Sequence, residues 1–157
     1  TSLAIVYVMF ALSGIVKWFV FTPGNPFKIL LDPLLGAPIW IGIAMIMPSM
    51  MADVCDDDER IHGNRREGMF AAIYTWVQKF GFSIAFLGAG LALNYVGFDV
   101  NLGGNQTEEA IFGMRAILAG GVIVTAIAAL VVLKFYKLTP ETALETRKIL
   151  EDRRGKV

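Results

Sequence analysis

One cysteine and one histidine occur in 157 residues. Cys55 has no partner for an intrachain disulfide, so cysteine usage is silent on redox compartment, and the residue reads as a small buried one. His62 sits in a charged stretch with no metal-ligand spacing around it, so no metal site is expected in this chain. No nucleophile–base pair and no phosphate-binding glycine loop occurs, which argues against an enzyme. No repeat of 20–50 residues is visible. A signal-peptide pattern is missing as well. The first residue is Thr1, already at the edge of an apolar block, so the chain is expected to be a piece of a longer protein. Lys+Arg and Asp+Glu both number 14, so net charge says nothing about partners, and no nucleic-acid partner is expected.

Charge is also scarce where it matters most. The chain is 55% hydrophobic and 18% charged, with mean hydropathy +0.59. A soluble domain of this length needs polar residues to cover its surface, but here the apolar residues fall into long blocks. About 20 mostly apolar residues cross a bilayer as a helix. Four blocks qualify: 3–21 with Lys17 as its one charge, 34–52 with none, 68–98 with Lys79 alone, and 110–133 with Arg115 alone. The expected fold is all-α: a polytopic membrane helix bundle over 1–138, with helices over about 3–21, 34–55, 67–97 and 109–136. The polar segment 139–157 is expected as a cytoplasmic tail, with Thr139 and Pro140 as N-cap and first residue of a short helix.

Orientation follows Lys and Arg in short loops. Arg60, Arg65 and Arg66 lie between the second and third blocks, and seven more basic residues follow the fourth. The connection 99–109 has none, and 22–33 has only Lys28. The basic loop, Thr1 and the C-terminus are therefore expected in the cytoplasm. Lys17 and Arg115, near the outer ends of their helices, are expected to snorkel to the interface. Pro48 predicts a kink in the second helix. Gly81, Gly88 and Gly90 on the third helix, with Gly113, Gly120 and Gly121 on the fourth, predict close helix contacts.

Lys79 is the sharpest signal. It lies about 18 Å into its helix at 1.5 Å per residue, near mid-membrane, where a charge is expensive and by default marks a ligand or ion path. Thr75, Trp76, Phe82, Ser83 and Phe86 are three or four residues from it or from one another, so they share its face. Rings to stack on and hydroxyls to bond are what a sugar needs. Asp53 and Asp56, three apart, share a face where the second helix is expected to end. Carboxylates there oppose the helix dipole, and Arg65 and Arg66 are the nearest compensating charges. Asp56-Asp57-Asp58-Glu59-Arg60 reads as loop. Such a cluster either acts as a lock on the cytoplasmic side or is a solvated charge run.

The stretch Met50–Gly81, MMADVCDDDERIHGNRREGMFAAIYTWVQKFG, resembles the signature of the glycoside–pentoside–hexuronide:cation symporter family of the major facilitator superfamily. The positions that carry it are Ala52, Asp53, Asp56, Gly63, Arg65, Glu67, Gly68, Lys79 and Gly81. Asn94–Phe98 and Gly113-Met114-Arg115 resemble the family's last external loop and final helix. The resemblance implies a twelve-helix fold of which this chain holds about the last four helices. It also implies alternating-access symport of a sugar (glycoside, pentose, hexose or uronate) with a monovalent cation.

On this reading Lys79, Thr75, Trp76, Ser83 and Trp40 belong to the substrate and coupling site, and Asp53, Asp56, Arg65 and Glu67 to a cytoplasmic gate. No cofactor is expected. The coupling ion, Na+, Li+ or H+, is expected at carboxylates of the N-terminal transporter half, outside this chain. The other partners are the sugar, membrane lipid and that N-terminal half, in a bacterial inner membrane. Departures from the pattern are Asp57-Asp58 after the aspartate pair, His62 before the loop glycine, and Ala44 where the family's best-known member has Trp. Trp40, one turn away on the same face, is the substitute. The alternatives are a carrier of a lipid-like solute on the same fold and a four-helix membrane scaffold with no transport role.

Overall fold

The computed structural model describes residues 2–24 and 26–155. Five α-helices run in chain order: α1 (Ser2–Val20), α2 (Leu31–His62), α3 (Glu67–Tyr95), α4 (Glu108–Leu133) and α5 (Pro140–Arg154). Short 3-10 turns at Pro26–Leu30 and Val100–Leu102 lead into α2 and α4. There is no strand among the described residues. The first four helices are long and apolar enough to cross a membrane.

The helix ends follow local chemistry. Thr107 caps α4, its hydroxyl accepting from the Ala110 amide at 3.2 Å, and Glu108 and Glu109 complement the first-turn dipole. Thr139 does the same for α5 through the Thr142 amide, with Pro140 at the first helical position. Gly63, at φ 74°, closes α2, its amide donating to the Glu59 carbonyl at 2.8 Å. The α3–α4 connection is tied by Gln106, whose side chain accepts from the Asp99 amide and donates to the Asp99 and Gly103 carbonyls.

The second helix departs from expectation. It does not stop near residue 55 but continues to His62, so the acidic run read as loop is helical. Two side-chain pairs support the added turns: Arg60 donates to Asp57 three residues back, and His62 meets Asp58 four residues back. At 32 residues α2 is about 48 Å long, well beyond a bilayer's hydrocarbon core. Asp53 and Asp56 are therefore inside the helix, and the dipole penalty expected for them does not arise there.

Packing is uneven. α1 lies between α2 and α4, and the α1–α4 seam is built from small residues. Ser13 and Gly14 on α1 are buried, as are Ala110, Ala119 and Ala126 on α4. A Cβ on Gly14 would fall 2.8 Å from an Ile123 side-chain carbon and 3.0 Å from the Ala119 carbonyl oxygen. Gly42 gives Val6 similar access between α1 and α2, and Gly113 receives Val96. The other expected glycines are not at close contacts: a Cβ added to Gly81, Gly88, Gly90, Gly120 or Gly121 would meet nothing within 4 Å. α3 has no buried residue at all. α5 lies against α2, with Thr146 and Leu150 buried and Arg153 donating to the Arg60 carbonyl at 3.1 Å.

Candidate functional site

The α3 stripe is open along its length. Lys79, twelve residues past Glu67, is about 18 Å from that end. Among the described residues it has no ion-pair partner. Its neighbours are ordered by the helix itself. The Thr75 hydroxyl donates to the Ala71 carbonyl at 2.8 Å, and Ser83 donates to the carbonyl of Lys79 at 3.1 Å. Both hydroxyl oxygens thus keep their acceptor lone pairs. Trp76 and Phe80, one turn apart, stack with centroids 5.3 Å apart and planes within 4°. The face combines one ammonium, two acceptor oxygens and a flat aromatic surface.

Trp40 is not part of that face. Its ring packs edge-on against Phe10 of α1 at 6.3 Å. Both line a cavity of about 360 Å³ between α1 and α2, to which α3 contributes nothing. Lys17 lies in the same cavity. It does not reach outward as expected but pairs with Asp32 in the first turn of α2. Asp32 is a site residue that sequence reasoning misses. The available signal is its place fifteen residues after Lys17, across the short connection between α1 and α2, at a helix start where an acid is favoured.

Arg115 also turns inward. Its guanidinium donates to the Trp18 carbonyl and, at 3.3 Å, to the Thr22 hydroxyl, and it lies 4.7 Å from the Trp18 ring centroid. The last carbonyls of α1 have no amide partners within the helix. Arg115 supplies a donor to one of them, the Trp18 carbonyl, while the Phe21 amide and the Thr22 hydroxyl donate to those of Lys17 and Phe19, and its charge sits at the negative end of the α1 dipole. Trp18 in turn meets Phe112 edge-on at 5.4 Å.

At the other end, the charge cluster is paired differently from expectation. Arg66 forms a two-pronged contact with Asp58, at 2.6 and 2.9 Å, and not with Asp53 or Asp56. Arg65 pairs with Glu67. The Arg65 guanidinium is held above its ordinary range first by Glu67, with Glu59 and Asp56 acting from further away. Asp58, hidden within the acidic run, is the hub, because His62 also contacts it at 3.0 Å. Asp53 faces elsewhere. It lines a cavity of about 410 Å³ with Ser49, Tyr136 and Thr139. Burial, then the Asp53 charge, pushes the Tyr136 phenol up from its ordinary value. Among the described residues, no group of three His, Cys, Asp or Glu is placed to hold a metal ion.

Residues 1–140 match the family described as MFS/sugar transport protein. An uncharacterized symporter of Synechocystis, sll1374, is 30% identical over 122 residues, covering 74% of this chain and 22% of that protein. An uncharacterized 29.9 kDa protein of Pseudescherichia vulneris is 27% identical over 128 residues, covering 80% of this chain and 46% of that protein. The chain thus spans less than half the length of either relative. No solved structure matches. With four membrane-length helices and a family match over most of its length, the chain is an integral membrane protein that belongs to the MFS/sugar transport protein family.

Proposed function

We propose that the chain forms the C-terminal part of a sugar:cation symporter that works by alternating access. The observation that carries this is the α3 face: a mid-membrane lysine flanked by two hydroxyl acceptors and a stacked aromatic pair, all open. An ammonium in hydrocarbon is costly unless a ligand, an acid or water meets it. A sugar bridging Lys79, Thr75, Ser83 and Trp76 meets that need, with the N-terminal half closing the site near the midplane. Trp40 belongs to the same transport route but at a separate place along it.

The end that carries Arg60, Arg65 and Arg66 faces the cytoplasm on the Lys/Arg rule, together with α5. There Arg65 with Glu67, and Asp56 acting on Arg65 from α2, form the gate that closes the cytoplasmic side, with Asp53 contributing from the Tyr136 side of the same helix. The coupling ion, Na+, Li+ or H+, binds at carboxylates outside this chain. The setting is a bacterial inner membrane.

The deciding experiment is uptake by the full-length transporter in proteoliposomes. Labelled monosaccharides, disaccharides and uronates are offered with and without an imposed Na+ or H+ gradient. The expected result is gradient-driven accumulation of a sugar in wild type. Lys79→Ala, with insertion intact, should lose on the order of a hundredfold, as when a desolvated charged contact is cut. Undiminished uptake by Lys79→Ala removes the assigned role, and absence of any sugar accumulation removes the reading.

A further inference from the structure

The cavity between α1 and α2 has the chemistry of a saccharide site of its own. Trp40 is 63% exposed, its ring packed edge-on against Phe10. Lys17 and Asp32 retain 16% and 30% of their side-chain exposure while paired. The Ser13 hydroxyl donates to the Phe10 carbonyl at 2.7 Å and keeps acceptor capacity. Pro38, inside α2, has no amide hydrogen to give the Leu34 carbonyl four residues earlier, in the same stretch of α2 whose Pro33, Gly36 and Ala37 line the cavity. In a membrane such an acceptor is satisfied by water or by a ligand donor. A volume of about 360 Å³ falls within the range of small-molecule sites.

We propose that Trp40, Lys17, Asp32 and Ser13 form an outer saccharide subsite, separate from the Lys79 face, where an uncharged sugar ring rests before reaching it. This rests on the sugar-symport reading above, including its orientation. The ring's apolar face lies on the indole, and its hydroxyls donate to Asp32 and accept from Lys17. The pair sums to zero charge, so a neutral ring suits the subsite better than a uronate, whose carboxylate competes with Asp32 for Lys17. Position supports an antechamber. Trp40 is nine residues into α2, about 14 Å from its start, whereas Lys79 is sixteen residues from the corresponding end of α3, about 24 Å.

Gly36 allows a direct test. It lines the cavity, and a Cβ there meets nothing within 4 Å, so a larger side chain can start into the space without a clash at its first atom. In the full-length transporter, uptake of labelled glucose, xylose, a galactoside and glucuronate is measured for wild type, Gly36→Leu, Trp40→Leu and Trp40→Tyr. Gly121→Leu on α4, equally open, is the control for added bulk. For the neutral sugar that wild type carries, Gly36→Leu and Trp40→Leu should each raise half-saturation on the order of tenfold. Maximal rate should stay within about twofold, and Trp40→Tyr should recover most of the affinity because it keeps an aromatic face.

Unchanged half-saturation in inserted Gly36→Leu and Trp40→Leu overturns the subsite and leaves the symport reading standing. A fall in maximal rate alone marks a packing role and also overturns it. A shift that follows lipid headgroup composition rather than the sugar marks a lipid site, with the same consequence. If Gly36→Leu fails to insert, the two Trp40 variants decide. If wild type carries none of the sugars, the subsite falls together with the symport reading.

Discussion

α1 and α3 are both long, apolar helices with a single basic residue in the membrane-length stretch, yet the structure treats them in opposite ways. α1 is clasped on two sides. Lys17 pairs with Asp32 of α2, Arg115 of α4 serves the carbonyl end of α1, and Gly14 lets α4 approach closely. α3 has no buried residue, and Lys79 has no ion-pair partner among the described residues. A charge answered within the same four-helix unit acts as a fastener. A charge left facing outward from it has no ion-pair partner among the described residues, which is the feature the proposed substrate role rests on. The difference is drawn by neighbours, because hydropathy alone gives both helices the same description.

The largest effect should come from breaking the clasp. In Gly14→Leu even the Cβ lies 2.8 Å from Ile123 and 3.0 Å from backbone of α4, so the helices must separate. Overpacking of this kind costs about 1–3 kcal/mol and more where backbone blocks the way. Melting of the purified transporter should fall by several degrees, on the order of 2–4 °C per kcal/mol for a chain of about 200 residues and less for a longer one. Gly120→Leu, with nothing within 4 Å, should melt near wild type. Equal melting of the two variants would show that the α1–α4 seam is not tight.

Arg115→Met sharpens the same contrast. It keeps much of the apolar stem but removes the donors to the Trp18 carbonyl and the Thr22 hydroxyl. Loss of a charged hydrogen bond at a helix end costs about 1–3 kcal/mol. Thermal stability should fall while half-saturation for sugar stays within about twofold. A change in half-saturation with unchanged melting would move Arg115 from fastening to ligand binding.

Legibility from sequence divides along the same line. The four membrane-length helices, the Thr139–Pro140 start of α5 and the helical spacing that sets Lys79 on one face with Thr75 and Ser83 are readable, because each rests on local pattern: block length, cap chemistry, spacing of three and four. Pairing between segments is not. Nothing local distinguishes Lys17, which finds Asp32, from a lysine that snorkels. Asp57 and Asp58 read as loop because an acidic run repels itself. Their helix forms because Arg60, His62 and Arg66 each meet one of them. Gly14 and Gly42 look no different in sequence from the glycines of α3 and α4 that face open space, since a small residue shows where approach is permitted and not where a partner stands.

The smallest predicted effect concerns α5, which packs on the extended part of α2 without entering the membrane-length set. Its first turn depends on Thr139, whose hydroxyl accepts from the Thr142 amide, and on Glu141. The Glu141 carboxyl is held below its ordinary range first by its own backbone hydrogen bond and then by the Thr139 hydroxyl. A carboxyl depressed in the folded state adds stability above its unfolded pKa, about 4.3, and loses it as pH falls through the lower folded value. Protection of the Thr142 and Ala143 amides against hydrogen exchange, referred to intrinsic rates at each pH, should therefore hold at pH 7 and weaken below about 4.3. Thr139→Ala should weaken it at all pH values, by about 1 kcal/mol for the lost cap. It should also shrink the acid-dependent part, because one of the groups that depress Glu141 is gone. If Thr139→Ala lowers protection but leaves the acid-dependent part at full size, the Glu141 carboxylate is held by its backbone bond alone. The cap and the charge then act as independent supports for the helix that braces α2.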